Sequence, residues 1–245
     1  MSVRVLARGV CGGVLACTLL ILSNPAIAGN EAETGDLLVK LVQSGRVVVS
    51  ENQELINDAS KGDKGFTPQY FEGKIIAKFK DKASVDLSKP DGSAQTKLLL
   101  TLLEAGKEVV EDNQFKINKQ GIGFKGFIPA VWGRLTGEKF GQKTGIRLKL
   151  TGVDYRFPGN KPDEFETEVL KLFADTSYPK GKEYTRMTVV NGKPALRMMA
   201  PEYAGAKCLG CHGEPVGERD ITGNKKEGWK EGGLAGAISL IIPVK

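Results

Sequence analysis

The chain has 245 residues, of which 40% are hydrophobic and 26% charged, and its formal charge is +6. This composition belongs to a soluble globular protein, long enough for one domain of ordinary size and a small second one. Lysines are spread along the chain and interleaved with acids, a solvated surface that excludes a nucleic-acid footprint.

The first 28 residues read as a secretory signal. Arg4 and Arg8 make a basic start, Val10 to Leu22 is apolar, and Ala26-Ile27-Ala28 is a small-x-small cleavage site that places the mature start at Gly29. Val14-Leu15-Ala16-Cys17 weakly resembles a lipoprotein box, but the apolar run continues past the cysteine. Cleavage predicts a periplasmic protein that loses Cys11 and Cys17 and keeps only Cys208 and Cys211, with no structural disulfide. No later apolar stretch approaches the length of a membrane span; Leu98–Leu103 and Ile238–Val244 are apolar but short.

Leu37–Pro68 aligns without gaps on Leu98–Pro129, with 15 identities over 32 positions. The matches include polar residues, Asn52/Asn113, Gln53/Gln114, Asn57/Asn118 and Lys64/Lys125, which helical periodicity alone does not produce. They mark a duplication. Each copy predicts a helix, a glycine loop and a second helix. In the first copy Leu37, Leu38, Leu41, Val42, Val48, Val49 and Ile56 form the apolar stripe, and Thr67-Pro68 starts the second helix. In the second copy a helix is expected from Lys97 to about Asn118, then another from Pro129 to Phe140. A polar linker, Ser84–Ala94, joins the copies.

From Gly145 the pattern changes. Ile146-Arg147-Leu148-Lys149-Leu150 alternates apolar and basic residues, predicting a strand with one wet face. Arg156–Pro162 is a loop, and Asp163 caps a helix from Glu164 to Phe173. Tyr184–Val190 and Pro194–Ala200 are strands joined through Asn191-Gly192, a hairpin signal. Gly213–Gly233 is a long polar segment, read either as a cover for the neighbouring site or as a disordered lid. Leu234–Pro243 is a central strand. Helices first and an antiparallel sheet afterwards make the expected fold class α+β.

Cys208-Leu209-Gly210-Cys211-His212 is a Cys-x-x-Cys-His sequence, and His212 is the only histidine in the chain. Two thiols at this spacing add across the vinyl groups of one porphyrin, and the adjoining imidazole becomes the proximal iron ligand. A zinc site wants four protein ligands, and the mature chain offers two cysteines and one histidine. A thioredoxin-like pair sits between a strand and a helix, whereas Gly213-Glu214-Pro215 breaks a helix here. The cofactor expected is therefore one covalent haem c.

Several segments resemble one bacterial family: Gly123–Ala130, Asn160–Glu166, Cys208–Pro215, Gly217–Gly223 and Gly236–Ser239. It is a family of exported haem-c proteins with a PAS-like sensor fold, long described as a domain of unknown function. The similarity runs from about Leu37 onward. It implies a PAS-like antiparallel sheet that carries a covalent haem and a sensory or redox role, so the duplicated helical hairpins are expected to pack with that sheet. The implied organisation is a signal peptide at 1–28, an N-terminal helical repeat at 29–96 and a haem-c-binding domain at 97–245. Family members occur free in the periplasm or as input domains of kinases and chemoreceptors. For this chain a separate membrane signalling protein or redox partner is expected.

With His212 used, no second histidine can complete the iron. Met198 and Met199 are candidate distal ligands; they point to opposite faces of a strand, so at most one can serve. Met187 is a third methionine near the motif, and an open position, a lysine, a tyrosine or a backbone nitrogen are further alternatives. Phe127, Trp132, Tyr155, Tyr184, Tyr203 and Trp229 are candidates to pack on the porphyrin. Two functions compete, a redox or gas sensor and a mono-haem electron carrier. A peroxidase would need a distal acid–base residue, usually histidine, so no enzyme is expected.

The motif generates a first prediction. Cys208→Ala with Cys211→Ala is expected to abolish covalent pigment and lower stability, since a bound cofactor stabilises the fold. Pigment retained by the double variant through denaturing electrophoresis would rule out attachment at these cysteines.

Overall fold

A computed structural model describes residues 25–244, with side chains from Gly29 onward. Residues 1–24 of the export signal expected at 1–28, with Cys11 and Cys17, lie outside the described residues.

The described residues open with α1 (Pro25–Glu51), a short α2 (Gln53–Ile56) and α3 (Pro68–Ala83). It repeats the series as α4 (Ala94–Asp112), α5 (Gln114–Ile117) and α6 (Pro129–Thr144). The stripe Leu37, Leu38, Leu41, Val42, Val48, Val49 and Ile56 is buried throughout. Thr67 caps α3 by accepting from the Tyr70 N–H, with Pro68 in the first turn. The helix expected from Lys97 to Asn118 is divided at Asn113, which separates α4 from α5. The Asn113 side-chain amide donates to the Val109 carbonyl at 2.8 Å, while its backbone N–H turns to Val110. A short side chain thus satisfies an end carbonyl that a continuing helix would have used. Asn52 does the same to Val48 at 2.8 Å.

The matched polar residues of the duplication exchange hydrogen bonds. Gln53 donates to the Phe127 carbonyl at 2.9 Å and Gln114 to the Phe66 carbonyl at 2.8 Å. Asn57 accepts from the Lys125 N–H at 2.9 Å and Asn118 from the Lys64 N–H at 3.0 Å. Each copy therefore satisfies the other's loop. The two copies that these bonds join also share one apolar core.

Trp132 of α6 is fully buried where the copies meet, and its indole N–H donates to the Gly106 carbonyl at 3.1 Å. A Cβ added at Gly45 would stand 2.1 Å from this ring, and one at Gly106 would stand 2.8 Å from it. The paired glycines make room for the indole.

Four strands follow: β1 (Arg147–Thr151), β2 (Tyr184–Val190), β3 (Lys193–Tyr203) and β4 (Leu234–Pro243). They form an antiparallel sheet in the order β1-β4-β3-β2. Asn191 and Gly192, with φ of 49° and 74°, make the tight hairpin turn between β2 and β3. One face of the sheet, including Leu148, Leu196, Met198, Ile238 and Leu240, joins the helical core. The other face meets α7 (Glu164–Ala174) through Met199, Ala237, Phe165 and Val169. The molecule is thus α+β with an antiparallel sheet between helical layers.

The wet face expected on β1 is not found at Lys149, which is buried. The capping box of α7 explains the difference: Asp163 and Glu166 cap each other's backbone, which brings Glu166 to Lys149 at 2.7 Å. Arg197 of β3 pairs with Asp163 at 2.7 Å. The basic residues are covered because α7 supplies their counter-charges.

Gly45→Ala is expected to lower stability by about 1–3 kcal/mol through overpacking against Trp132, despite alanine's better helix propensity. Urea denaturation measures this; a neutral or stabilising result would contradict the close packing of the indole.

Candidate functional site

β3 delivers the Cys-x-x-Cys-His motif. A register shift at Glu202/Tyr203 precedes the last pair with β4, Tyr203 with Leu234, and Ala204 then closes the base of the excursion. Its N–H donates to Gly233 at 2.9 Å and its carbonyl accepts from Gly232 at 2.7 Å. A turn at Ala206–Cys208 leads into α8 (Leu209–His212). Cys208 and Cys211 are half-buried free thiols. Gly213 is required next, since a Cβ there would meet the Leu209 carbonyl at 2.6 Å.

The 213–233 segment is neither a bare loop nor a featureless lid. It folds back on itself, with Gly217 and Lys226 bonded at 2.9 Å, Lys226 and Glu218 at 2.8 Å and a bridge between Arg219 and Lys225. Asp220 organises its tip by accepting from the Thr222 N–H at 2.7 Å and the Thr222 hydroxyl at 2.6 Å. The return limb places Glu227 and Trp229 on His212. Glu227 Oε2 lies 2.8 Å from His212 Nδ1. The Trp229 indole stacks on the imidazole at 4.0 Å with planes 11° apart. Trp229 is held in turn by its backbone bond to His212, at 2.7 Å, and by its indole bond to Asp154, at 2.9 Å.

Arg156, from the loop after β1, fastens this arrangement. Its Nε and Nη2 bind Glu227 at 2.7 and 2.9 Å. Nη1 binds Asp220 at 2.6 Å, and Nη2 also reaches the Cys211 carbonyl at 2.8 Å. Burial acts to raise the Asp220 carboxyl, but Thr222 and Arg156 outweigh it and hold it at about 2. Burial also acts upward at Glu227, and the hydrogen bonds from Arg156 and His212 outweigh it, so this carboxyl lies below its ordinary value. An ionised Glu227 has no proton to give, so His212 Nδ1 carries the hydrogen and donates it. In the neutral imidazole the lone pair is then on Nε2, which makes no hydrogen bond to a described residue.

This donor set fits a haem. Cys208, Cys211 and His212 share one helical turn, the thiols are unpaired, and the imidazole has one nitrogen occupied and the other available. Among the described residues, Val153, Tyr155, Phe157, Val216 and Ile221 are exposed large apolar side chains on the two segments that meet at the motif. Burial and the Asp220 carboxylate push the Cys211 thiol up, the opposite of an activated redox dithiol. Among the described residues no cluster of three His, Cys, Asp or Glu side chains could hold a bare metal ion.

The methionine candidates are placed apart from the motif. Met198 lies in the core cluster with the N-terminal helices, and Met199 is packed with Phe165, Val169 and Leu170 of α7. They do face opposite sides of β3. Of the aromatic candidates, Trp229 meets His212, whereas Phe127 and Trp132 belong to the helical core. Tyr184 packs on Phe165, Tyr203 lies under Lys180, and Tyr155 is exposed. A groove of about 300 Å³ between α6 and β1 is lined by Arg134, Phe157 and Asn160 but by none of the motif residues. Sequence reasoning missed Arg156, Asp220 and Glu227 as a set, because their separations of 64 and 71 residues have no local pattern.

Arg156→Ala is expected to weaken hydrogen-exchange protection of the 217–226 amides about tenfold or more, the scale of a lost bond to a charged group. In the unaltered protein acid should do the same. The folded value of Asp220 is depressed, so its contribution is present above its ordinary 3.8 and is lost as pH falls through about 2. Protection unaffected by both treatments would show that Arg156 does not hold the segment.

No curated protein matches the chain significantly. The family described as Tll0287-like (Tll0287) matches residues 37–243. The crystal structure of the cyanobacterial heme-protein Tll0287 is similar over 90% of this chain and 97% of that one, at 12% identity and a TM-score of 0.47.

Proposed function

The chain belongs to the Tll0287-like family, and from that premise we propose that it is an exported, periplasmic mono-haem c protein that senses redox state or a gas. One observation carries the reading. Cys208, Cys211 and His212 lie on a single turn, with His212 Nδ1 committed to Glu227 and Nε2 available as an iron ligand. Cys208 and Cys211 would hold the porphyrin through thioether bonds, and His212 would be the proximal ligand. The bound group would supply a one-electron iron couple and an iron able to take a diatomic gas. The residues around it have their own tasks: Glu227 fixes the imidazole tautomer, Trp229 fixes its rotation, and Arg156 holds the covering segment. In this reading the sheet and α7 form a PAS-like domain, and the signal passes to a membrane protein.

A second reading is a soluble electron carrier. The half-exposed cysteines favour it, since a haem attached there has an edge near the surface for electron exchange. Neither reading includes an enzymatic reaction.

Optical spectra of the haem-loaded protein, oxidised and reduced, with and without carbon monoxide, separate the two. The sensor reading expects a reduced spectrum that changes with carbon monoxide, or a high-spin oxidised one. A low-spin spectrum indifferent to carbon monoxide would eliminate gas sensing and favour the carrier. A protein without covalent pigment would overturn both.

A further inference from the structure

Glu227 is joined to His212 and Arg156 at once, and this arrangement bears on the iron rather than only on the loop. We propose that Glu227, held by Arg156, is a positioning residue that makes His212 a strongly donating ligand and poises the haem at a lowered midpoint potential. The inference rests on the haem reading above and deepens it.

The geometry supplies three arguments. First, the acceptor at His212 Nδ1 is a carboxylate oxygen at 2.8 Å. A neutral carbonyl would only orient the ring. A carboxylate draws the Nδ1 proton toward itself and raises electron density on Nε2, which favours the more highly charged, oxidised iron.

Second, the carboxylate cannot turn away. Both of its oxygens are bonded to Arg156, at 2.7 and 2.9 Å, in the bidentate arrangement that fixes orientation. The guanidinium is itself anchored to Asp220 at 2.6 Å and to the Cys211 carbonyl at 2.8 Å. The imidazole is equally constrained, with Trp229 stacked against it at 4.0 Å.

Third, the charge of Arg156 does not cancel the effect. The guanidinium is shared between Glu227 and Asp220, so the three groups together retain one negative charge. Of the neighbouring lysines, Lys226 has Glu218 at 3.6 Å, and Lys225 contributes its backbone carbonyl to Arg156 at 3.3 Å.

The test uses the full chain with haem attached, as wild type, Glu227→Gln and Glu227→Asp, titrated spectroelectrochemically. Gln keeps the size and an acceptor oxygen but loses the charge, whereas Asp keeps the charge. All three are expected to retain pigment through denaturing electrophoresis. Glu227→Gln is expected to titrate at a more positive potential, with at least a tenfold change in the reduced-to-oxidised ratio at fixed potential, about 59 mV for one electron. Glu227→Asp should stay closer to wild type. Equal potentials in wild type and Glu227→Gln, both pigmented, would overturn this inference and leave the haem reading intact. A wild type without covalent pigment would overturn the haem reading and the inference with it.

If Glu227→Gln does not take up haem, the chain without haem decides the matter. His212 is the only histidine, so long-range proton–nitrogen spectra of untagged protein report one imidazole. The Nδ1–H tautomer in wild type is the expected result. An Nε2–H tautomer in wild type would overturn the inference.

Discussion

One guanidinium joins the parts of this protein that matter for its chemistry. Arg156 comes from the loop after β1, its carboxylate partners Asp220 and Glu227 come from the segment after the motif, and its carbonyl partner is Cys211 within the motif. Remove its planar fork and three chain segments lose their common anchor. A lysine could not replace it, because a single ammonium lacks the geometry to bind Glu227 through two nitrogens while reaching Asp220. Pairing a partly buried arginine with two acids also offsets the desolvation cost that falls on each acid.

The rest of the fold gives this clamp a rigid frame. The duplicated helices exchange amide and carbonyl bonds through Gln53, Gln114, Asn57 and Asn118, and close around Trp132. Their shared core extends into one face of the sheet. On the other face α7 neutralises Lys149 and Arg197 through Glu166 and Asp163. The sheet is thereby held from both sides, and β3 and β4 hold the two ends of the excursion that carries Cys208, Cys211 and His212.

The environment of the motif suits haem chemistry better than its competitors. A redox dithiol needs a lowered thiol, and Cys211 is raised. A structural zinc needs a fourth ligand near the thiols, and the nearby acids are engaged by Arg156. A proximal histidine needs one nitrogen occupied and the other available, which is the state of His212.

Much of this was legible in the linear order of residues. Apolar spacing revealed the helices, alternation and Asn191-Gly192 revealed the hairpin, and Asp163 announced the start of α7, because these signals act over a few residues. The duplication was visible as matched letters, though not its meaning: that Gln53 serves Phe127 while Gln114 serves Phe66 is a property of two copies face to face. Lys149 misled for the same reason, since a basic residue on a strand reads as wet until a distant helix brings Glu166 over it. The Cys-x-x-Cys-His spacing by itself determined the chemistry that this chain can offer, because two thiols and an imidazole on one turn are set by covalent geometry. Which imidazole nitrogen is available, what stacks on the ring and what holds the covering segment were decided only by tertiary structure. Glu227, Trp229 and Arg156 reach His212 and the motif through contacts that sequence separation conceals, and electrostatic attraction between such groups depends on distance in space, not along the chain.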